Sequence, residues 1–353
     1  MRIFVINPGS TSTKVALYDE NSCLCEKKIL HDSKLLSQFK RINDQLEMRT
    51  EAVRTFFEEN DLQADELDII VSRGGILPPV RHGAYQIDQF LVDTLLFNPV
   101  QEHASNMGAG IALHISKDGG GVPAYIYDSI SVDELLPEAR LSGVKGHNRR
   151  SFTHVLNTRA VARRIAAQEG FDLMEENVIL AHLGGGFSMN IQAKGTFIDV
   201  IAADEGAFSP ERAGGLPIYN ASEIAREEGS DGLYSYEVGR GGLISYLETN
   251  DATEVERRMR EGDEEAGLVY RAMAYQIAKS IGSLAPVVSG NVRAIILTGG
   301  LANSRYITEE VRKRVEFIAP LYVFAGELEM EALYEGGRRL LRGEEGAYKF
   351  SSE

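Results

Sequence analysis

Three short segments of this chain place glycine and hydroxyl residues where a backbone could meet an anion. The first is Asn7-Pro8-Gly9-Ser10-Thr11-Ser12-Thr13-Lys14, between the apolar runs Ile3 to Ile6 and Val15 to Tyr18. The second is Gly184-Gly185-Gly186, between Val178 to Leu183 and the alternating Phe187, Met189 and Ile191. Both read as strand, tight turn, strand. Bare N–H groups in a glycine turn, free to reach φ > 0, suit close approach to a phosphate. Glycine turns are also common in hairpins that bind nothing, but two such hairpins far apart in one chain favour the anion reading. The third segment, Thr298-Gly299-Gly300-Leu301-Ala302-Asn303-Ser304, follows Ile295-Ile296-Leu297 and precedes a helical stretch. It reads as a nucleoside seat with backbone carrying the contact at its glycines.

Charged residues fall at strand ends. Leu67 to Val71 leads into Ser72-Arg73-Gly74-Gly75, and an arginine at the end of a parallel strand lies where ligands meet such sheets. A surface turn is the plain alternative. Val122 to Tyr127 is followed by Asp128, a carboxylate that either holds Mg²⁺ between phosphates or caps a turn. The dense basic stretch from Arg140 to Arg164 divides in two: Arg159, Arg163 and Arg164 read as the solvated face of a helix, whereas Arg149 and Arg150 precede it.

The elements that must position these groups belong to a chain of 353 residues, the length of two medium domains, with 43% hydrophobic and 25% charged residues. Thirty-seven basic against 52 acidic residues give a net charge of -15, which argues against a nucleic-acid surface. No apolar run reaches membrane-span length and no signal-peptide pattern opens the chain, so a cytoplasmic location is expected. Cys23 and Cys25 are too close in sequence for an ordinary disulfide, and the histidines lack metal-site spacing. Helices are expected over Thr50 to Glu59, from Thr153 to Gln168 with a stop at Gly170, and from Asp263 to Val288. The stripe Val269, Met273, Ile277, Ile281 and Leu284 on the last of these is either core or subunit interface. A strand, Leu321 to Phe324, then leads through Glu327-Leu328-Glu329 into a helix ending near Leu341.

Two phosphate hairpins and a late glycine turn, in that order, resemble the actin-like ATPase superfamily of sugar kinases, heat-shock ATPases and acetate kinase. Four segments, INPGSTSTK, AHLGGGFS, DEGAFSPERAGGLP and ILTGGLANS, are similar to the acetate kinase family, and within it to its butyrate kinases. The resemblance runs over essentially the whole chain. It implies two actin-like (ribonuclease H-like) α/β domains around a central cleft: 1–144 on the acyl-substrate side and 145–326 on the nucleotide side. The helix within 327–353 would pack back on the first domain. The implied reaction is reversible in-line transfer of the ATP γ-phosphoryl to the carboxylate of butyrate, with Mg²⁺, in a homo-oligomer of at least two subunits.

Under that resemblance Asn7, Gly9, Ser10, Thr11, Ser12, Lys14, Gly184, Gly185 and Gly186 hold phosphates, and Gly299, Gly300 and Asn303 border the nucleoside. Arg73 matches an arginine facing the acyl substrate, Asp128 an active-site aspartate, His182 a histidine near the phosphates, and Arg212 a second active-site arginine. A magnesium-binding glutamate of the family falls at Glu327 or Glu329, Glu327 being nearer the strand end. Two departures stand out. His147-Asn148-Arg149-Arg150-Ser151 replaces a stretch with a glycine and another histidine, which leaves His147 and Arg150 as further candidates. Phe97-Asn98-Pro99 stands where acetate kinases have His-Asn-Pro, and gives either room for a longer acyl tail or a packing change. Acetate, propionate and branched-chain acids are rival acceptors. An ATP-driven clamp of the heat-shock type is the rival outside this chemistry, and would need a peptide-binding domain after the nucleotide domain. A fatty acid carboxyl, with a pKa of about 4 to 5, is already ionised at pH 7, so no general base is expected.

Overall fold

The computed structural model describes residues 1–351. The chain divides into two compact units, one built from Met1–Val132, Val155–Ala160 and the chain from Leu328 onward, the other from Asp133–His154 and Val161–Glu327. The first crossing therefore falls at Val132 rather than at the Val144 read from sequence. The reason is hydrogen bonding: Leu136 N–H donates to Ile198 O at 3.0 Å, and Arg149 pairs with Asp199 at 3.0 Å. Both partners belong to the second unit.

The strands are β1 (Ile3–Pro8), β2 (Ser12–Tyr18), β3 (Cys23–Leu30), β4 (Ile69–Arg73), β5 (Ala84–Gln86), β6 (Ala124–Tyr127), β7 (Asn177–Leu183), β8 (Phe187–Ala193), β9 (Thr196–Ile201), β10 (Ala294–Gly299), β11 (Leu321–Ala325) and β12 (Ala347–Lys349). Among the described residues, the first unit holds a seven-stranded sheet of order β12-β5-β6-β4-β1-β2-β3 and the second a five-stranded sheet of order β11-β10-β7-β8-β9. Each begins with an antiparallel meander, β1-β2-β3 or β7-β8-β9, and adds two parallel strands beside its first strand, β4 and β6 or β10 and β11. The same order thus occurs twice, with a hairpin turn after β1 and another after β7.

Alternation along β1 assigns its faces. Ile3 and Val5 join Ile69, Val71, Ala16 and Tyr18 in one cluster with Leu333 and Ala332 of the helix Glu329–Leu341. Phe4 points the other way and meets Phe57 and Phe56 of the helix Leu46–Glu59, with ring centroids 4.7 and 6.1 Å away. The helix Glu329–Leu341 comes close because Gly337 lacks a Cβ, which would stand 2.9 Å from Ile3 and Val71. In the second unit the helix Glu264–Leu284 buries Val269, Met273, Ile277, Ile281 and Leu284 against Ile179, Ala181, Leu183 and Leu297, so its stripe is core. The helix Val155–Glu169 ends where expected, on Gly170 in the left-handed region at φ 69°. No helix among the described residues is long and apolar enough to cross a membrane.

Candidate active site

In the first unit, the register of β1 on β2 sets Asn7 opposite Lys14 and Pro8 opposite Thr13, and Gly9 N–H closes the turn on Ser12 O at 2.8 Å. The turn is gripped from below by Arg49 of the helix Leu46–Glu59, a buried residue that donates to Gly9 O at 2.8 Å and Ser10 O at 2.9 Å. Asn7 Nδ2 donates to Glu329 Oε2 at 2.8 Å, and Arg73 pairs with the same carboxylate at 3.0 Å. Glu329 opens its helix, where the dipole favours a negative charge. Asn7, Arg73 and Glu329 therefore form one polar cluster.

His103 joins it. Burial first, and then the charge of Arg73, hold its ring down to about 4 against the opposing pull of Glu329, so the imidazole is neutral at pH 7. Its Nδ1 accepts the backbone N–H of Ser105 at 3.2 Å, which places the ring proton on Nε2. Phe97, in contrast, is 66% exposed at the end of the helix Gln89–Phe97. Of the two, His103 is the one whose ring feels the charge of Arg73, not the Phe97 position compared with the family's histidine.

Asp128 leaves β6 beside Arg73 of β4, since Arg73 pairs with Tyr127 in register. Its carboxylate is 1% exposed, accepts the N–H of Gly83 at 2.8 Å and forms an ion pair with Arg159. Arg159 is therefore no solvated helix residue: only 8% of its side chain is exposed. A buried carboxylate already matched by a guanidinium and an amide is poorly suited to a metal, so the metal role read for Asp128 does not fit this arrangement. The pair instead anchors a residue held at φ +45°, a strained value for an aspartate.

In the second unit, β7 and β8 pair His182 with Ser188 and Leu183 with Phe187 across Gly184-Gly185-Gly186. None of these three glycines adopts positive φ. What they supply is closeness: a Cβ on Gly186 would lie 2.5 Å from Arg212 Nε and 2.7 Å from its Cζ, and one on Gly185 would lie 2.9 Å from Glu211 Oε2. The turn Ser209–Arg212 docks on the hairpin through Ser209 Oγ and Glu211 N–H, which both donate to Gly185 O, at 2.6 and 3.2 Å. Arg212 is thereby laid on the glycine tip.

His182 is 2% exposed and stacks on His154, with ring centroids 3.8 Å apart and planes 11° from parallel. His154 Nδ1 lies 2.7 Å from Ser188 Oγ, and His182 Nε2 lies 3.6 Å from Glu327, whose side chain is 44% exposed. Gly299, at φ 91°, leaves no room for a Cβ, which would stand 2.5 Å from Leu183 O. The third glycine loop thus abuts the residue before the triple glycine. It is tied to the stretch preceding Glu327 by reciprocal bonds of Gly299 and Gly326, each 3.0 Å. Asn303 is exposed and donates to Gly300 O at 2.9 Å.

Behind Arg212, Ala213 N–H donates to Tyr236 O at 2.9 Å, and a cavity of about 390 Å³ is lined by Asp204, Leu216, Tyr234, Tyr236 and Glu237. Burial and then Asp204 push the Glu237 carboxyl up to about 7, with Arg212 opposing.

Residues 144–338, more than half of the chain, match the acetokinase family. The chain belongs to the acetokinase family. Solved structures agree on the fold. Acetate kinase from Porphyromonas gingivalis superposes with a TM-score of 0.79 at 17% identity, over 96% of this chain and 99% of that one. Acetate kinase from Entamoeba histolytica gives 0.78 at 15% identity, over 97% and 100%. A propionate kinase from Francisella tularensis subsp. tularensis gives 0.74 at 17%, over 95% and 98%. The expected actin-like two-domain α/β fold is the one found, and membership of the acetokinase family makes the chain a carboxylate kinase.

Within this acetokinase-family fold the sequence-derived candidates separate by unit. Asn7, Arg73 and Asp128 stand at the ends of neighbouring strands of the first. His182, Gly184 to Gly186, Arg212, Gly299 and Glu327 gather in the second. Glu327 and Glu329, two positions apart, go to different partners: His182 for the former, Asn7 and Arg73 for the latter. Arg149 is taken up by Asp199 and Glu205, while Arg150 and His147 are exposed. Arg49 and His103 were not read from sequence.

Proposed function

We propose that this chain transfers the γ-phosphoryl group of ATP reversibly to butyrate, giving butyryl phosphate and ADP. The observation that carries the transfer is Arg212 lying on Gly186, a cation against a hairpin tip that bears no side chain. An arginine there can follow charge as it spreads over the equatorial oxygens of the phosphoryl in flight. Gly184 to Gly186 would hold phosphates, and Gly299, Gly300 and Asn303 would border the nucleoside. Asn7, Gly9, Ser10, Thr11, Ser12 and Lys14 would hold phosphate from the first unit. Arg73, kept in place by Glu329, would meet the carboxylate of the acid. His103 would offer Nε2–H as a donor that brings no charge of its own, and His182 would sit by the phosphates.

Magnesium prefers one or two carboxylates completed by substrate phosphates and water. Glu327 fits that demand, being partly exposed beside His182, whereas Asp128 is committed to Arg159. When bound, the ion would neutralise charge on the phosphates. The acid needs no general base, because at pH 7 it is already a carboxylate; the protein's task is to orient it and exclude water.

The choice of butyrate rests on the wording of the four segments rather than on Phe97, which lies at the surface. An acyl-hydroxamate assay over C2 to C6 acids tests it. Each buried methylene contributes about 0.8 kcal/mol, so C3 to C5 acids should exceed acetate by several-fold per carbon. Acetate turning over best would assign acetate as the acceptor.

A further inference from the structure

Arg49 carries a full charge into the interior of the first unit and meets no carboxylate among the described residues. It is 0% exposed. Nη1 donates to Gly9 O at 2.8 Å, Ser12 O at 3.2 Å and Thr13 Oγ1 at 3.2 Å; Nη2 donates to Ser10 O and Gln45 Oε1, both at 2.9 Å; Nε donates to Gln45 Oε1 at 3.1 Å. Every acceptor is neutral. The nearby His31, 2.9 Å from Thr13 Oγ1, is held down to about 4 by burial and by Arg49 itself, and brings no negative charge. Burial lowers the guanidinium to about 10, so it stays charged at neutral pH. The other buried arginine among the described residues differs: Arg159 has Asp128. A buried charge without a counterion is costly, and hydrogen bonds to neutral acceptors satisfy its donors without cancelling it.

The loop that Arg49 grips shows where the counterion belongs. In a trans peptide the C=O and the following N–H point in opposite directions, and no peptide among the described residues is cis. With Gly9 O and Ser10 O turned toward Arg49, the N–H groups of Ser10 and Thr11 turn away from it. Neither meets an acceptor among the described residues, and both residues are exposed. Two successive free N–H groups over a buried positive charge make a concave anion seat.

We propose that Arg49 is the positioning residue of this seat: it turns the loop carbonyls inward, sets two N–H groups outward, and is neutralised when a phosphoryl group docks. The seat follows from the geometry alone; that the phosphoryl belongs to ATP or an acyl phosphate rests on the kinase reading above. The test compares the full chain with Arg49→Met, which removes charge and donors, and Arg49→Lys, which keeps the charge on fewer donors. Inorganic pyrophosphate is titrated calorimetrically at 50 and 200 mM salt, with thermal unfolding as the check of fold. Arg49→Met should bind pyrophosphate on the order of 10- to 100-fold more weakly, and Arg49→Lys should recover part of the loss. A merely structural arginine would lower the unfolding temperature and leave pyrophosphate affinity unchanged in whichever variant folds, and that result overturns the proposal. So does a wild-type chain that binds no pyrophosphate. Arginine-dependent binding in a chain with no acyl kinase activity would sustain the seat and sink the kinase reading.

Discussion

Lowering the pH from 7 to 4 should expose the neutral state of His103 as a loss of stability. Its folded-state value of about 4, set by burial and then by Arg73, lies below the ordinary 6.5 of an exposed histidine. The unfolded chain therefore takes up a proton near pH 6.5 that the folded chain refuses until about pH 4. The stability this contributes is fully present above 6.5 and drains away as pH falls through that window. About 2.5 pH units at 1.36 kcal/mol each, less the part still unprotonated at pH 4, gives about 3 kcal/mol. His31, with a value also near 4, loses stability over the same range, so the quantity to measure is a difference. Urea unfolding of the wild type and of His103→Gln, from pH 7.5 to 4, should give curves that converge by about 3 kcal/mol as the pH falls. In parallel, nitrogen-detected NMR of the ring should show Nε2–H at pH 7 and titration only near pH 4. A ring that titrates near 6.5, or two stability curves that run parallel, would refute the burial argument, and Nδ1–H in place of Nε2–H at pH 7 would refute the tautomer assigned from Ser105.

Other consequences are equally open to measurement. Gly186→Ala should displace Arg212, whose Cζ stands 2.7 Å from the added Cβ, and lower kcat by on the order of 10²-fold with little change in unfolding temperature, since the atoms that must give way end a flexible side chain. Arg212→Ala should lower kcat as strongly while ATP affinity stays near wild type; near wild-type turnover would remove it from the reaction. Arg159→Met strands the Asp128 carboxylate and should cost about 3 to 5 kcal/mol in urea unfolding, with Asp128→Asn in the same chain restoring much of it. A loss in the double variant equal to the sum of the losses in the two single variants would show that the pair is not coupled.

What could be read in the sequence was local. The two hairpins were legible because glycine and hydroxyl residues interrupt apolar runs of strand period, and the third loop because its glycines divide a strand from a helix. Even there the reason for the glycines differs: Gly184 to Gly186 keep negative φ and serve a close approach by Arg212 and Glu211, whose contact with the tip depends on a turn more than twenty residues later in the chain. Arg159 read as solvated since its helix spacing is that of a charged face, and nothing nearby announces Asp128 as its partner. Arg49 was silent for the same reason, its acceptors being carbonyls about forty residues earlier. His103 was hidden by Phe97-Asn98-Pro99, a better match to a three-residue pattern but one that folds to the surface. Glu327 and Glu329 are inseparable by register, and only the turn into the helix Glu329–Leu341 sends one to His182 and the other to Arg73.

The route of the chain through its two units has a consequence for how it is made. The first unit closes its core with Leu333 and its sheet with β12, yet these follow Val132 only after the whole second unit has been threaded. At translation rates of 5 to 20 residues per second, that interval lasts roughly 10 to 40 s on a ribosome. During it, one face of β1 and β4, with Ile3, Val5, Ile69 and Val71, waits for the helix that covers it. The nearly continuous second unit can mature first, so the half of the protein synthesised earliest is the half completed last, with nascent-chain chaperones the natural cover for that apolar face in the meantime.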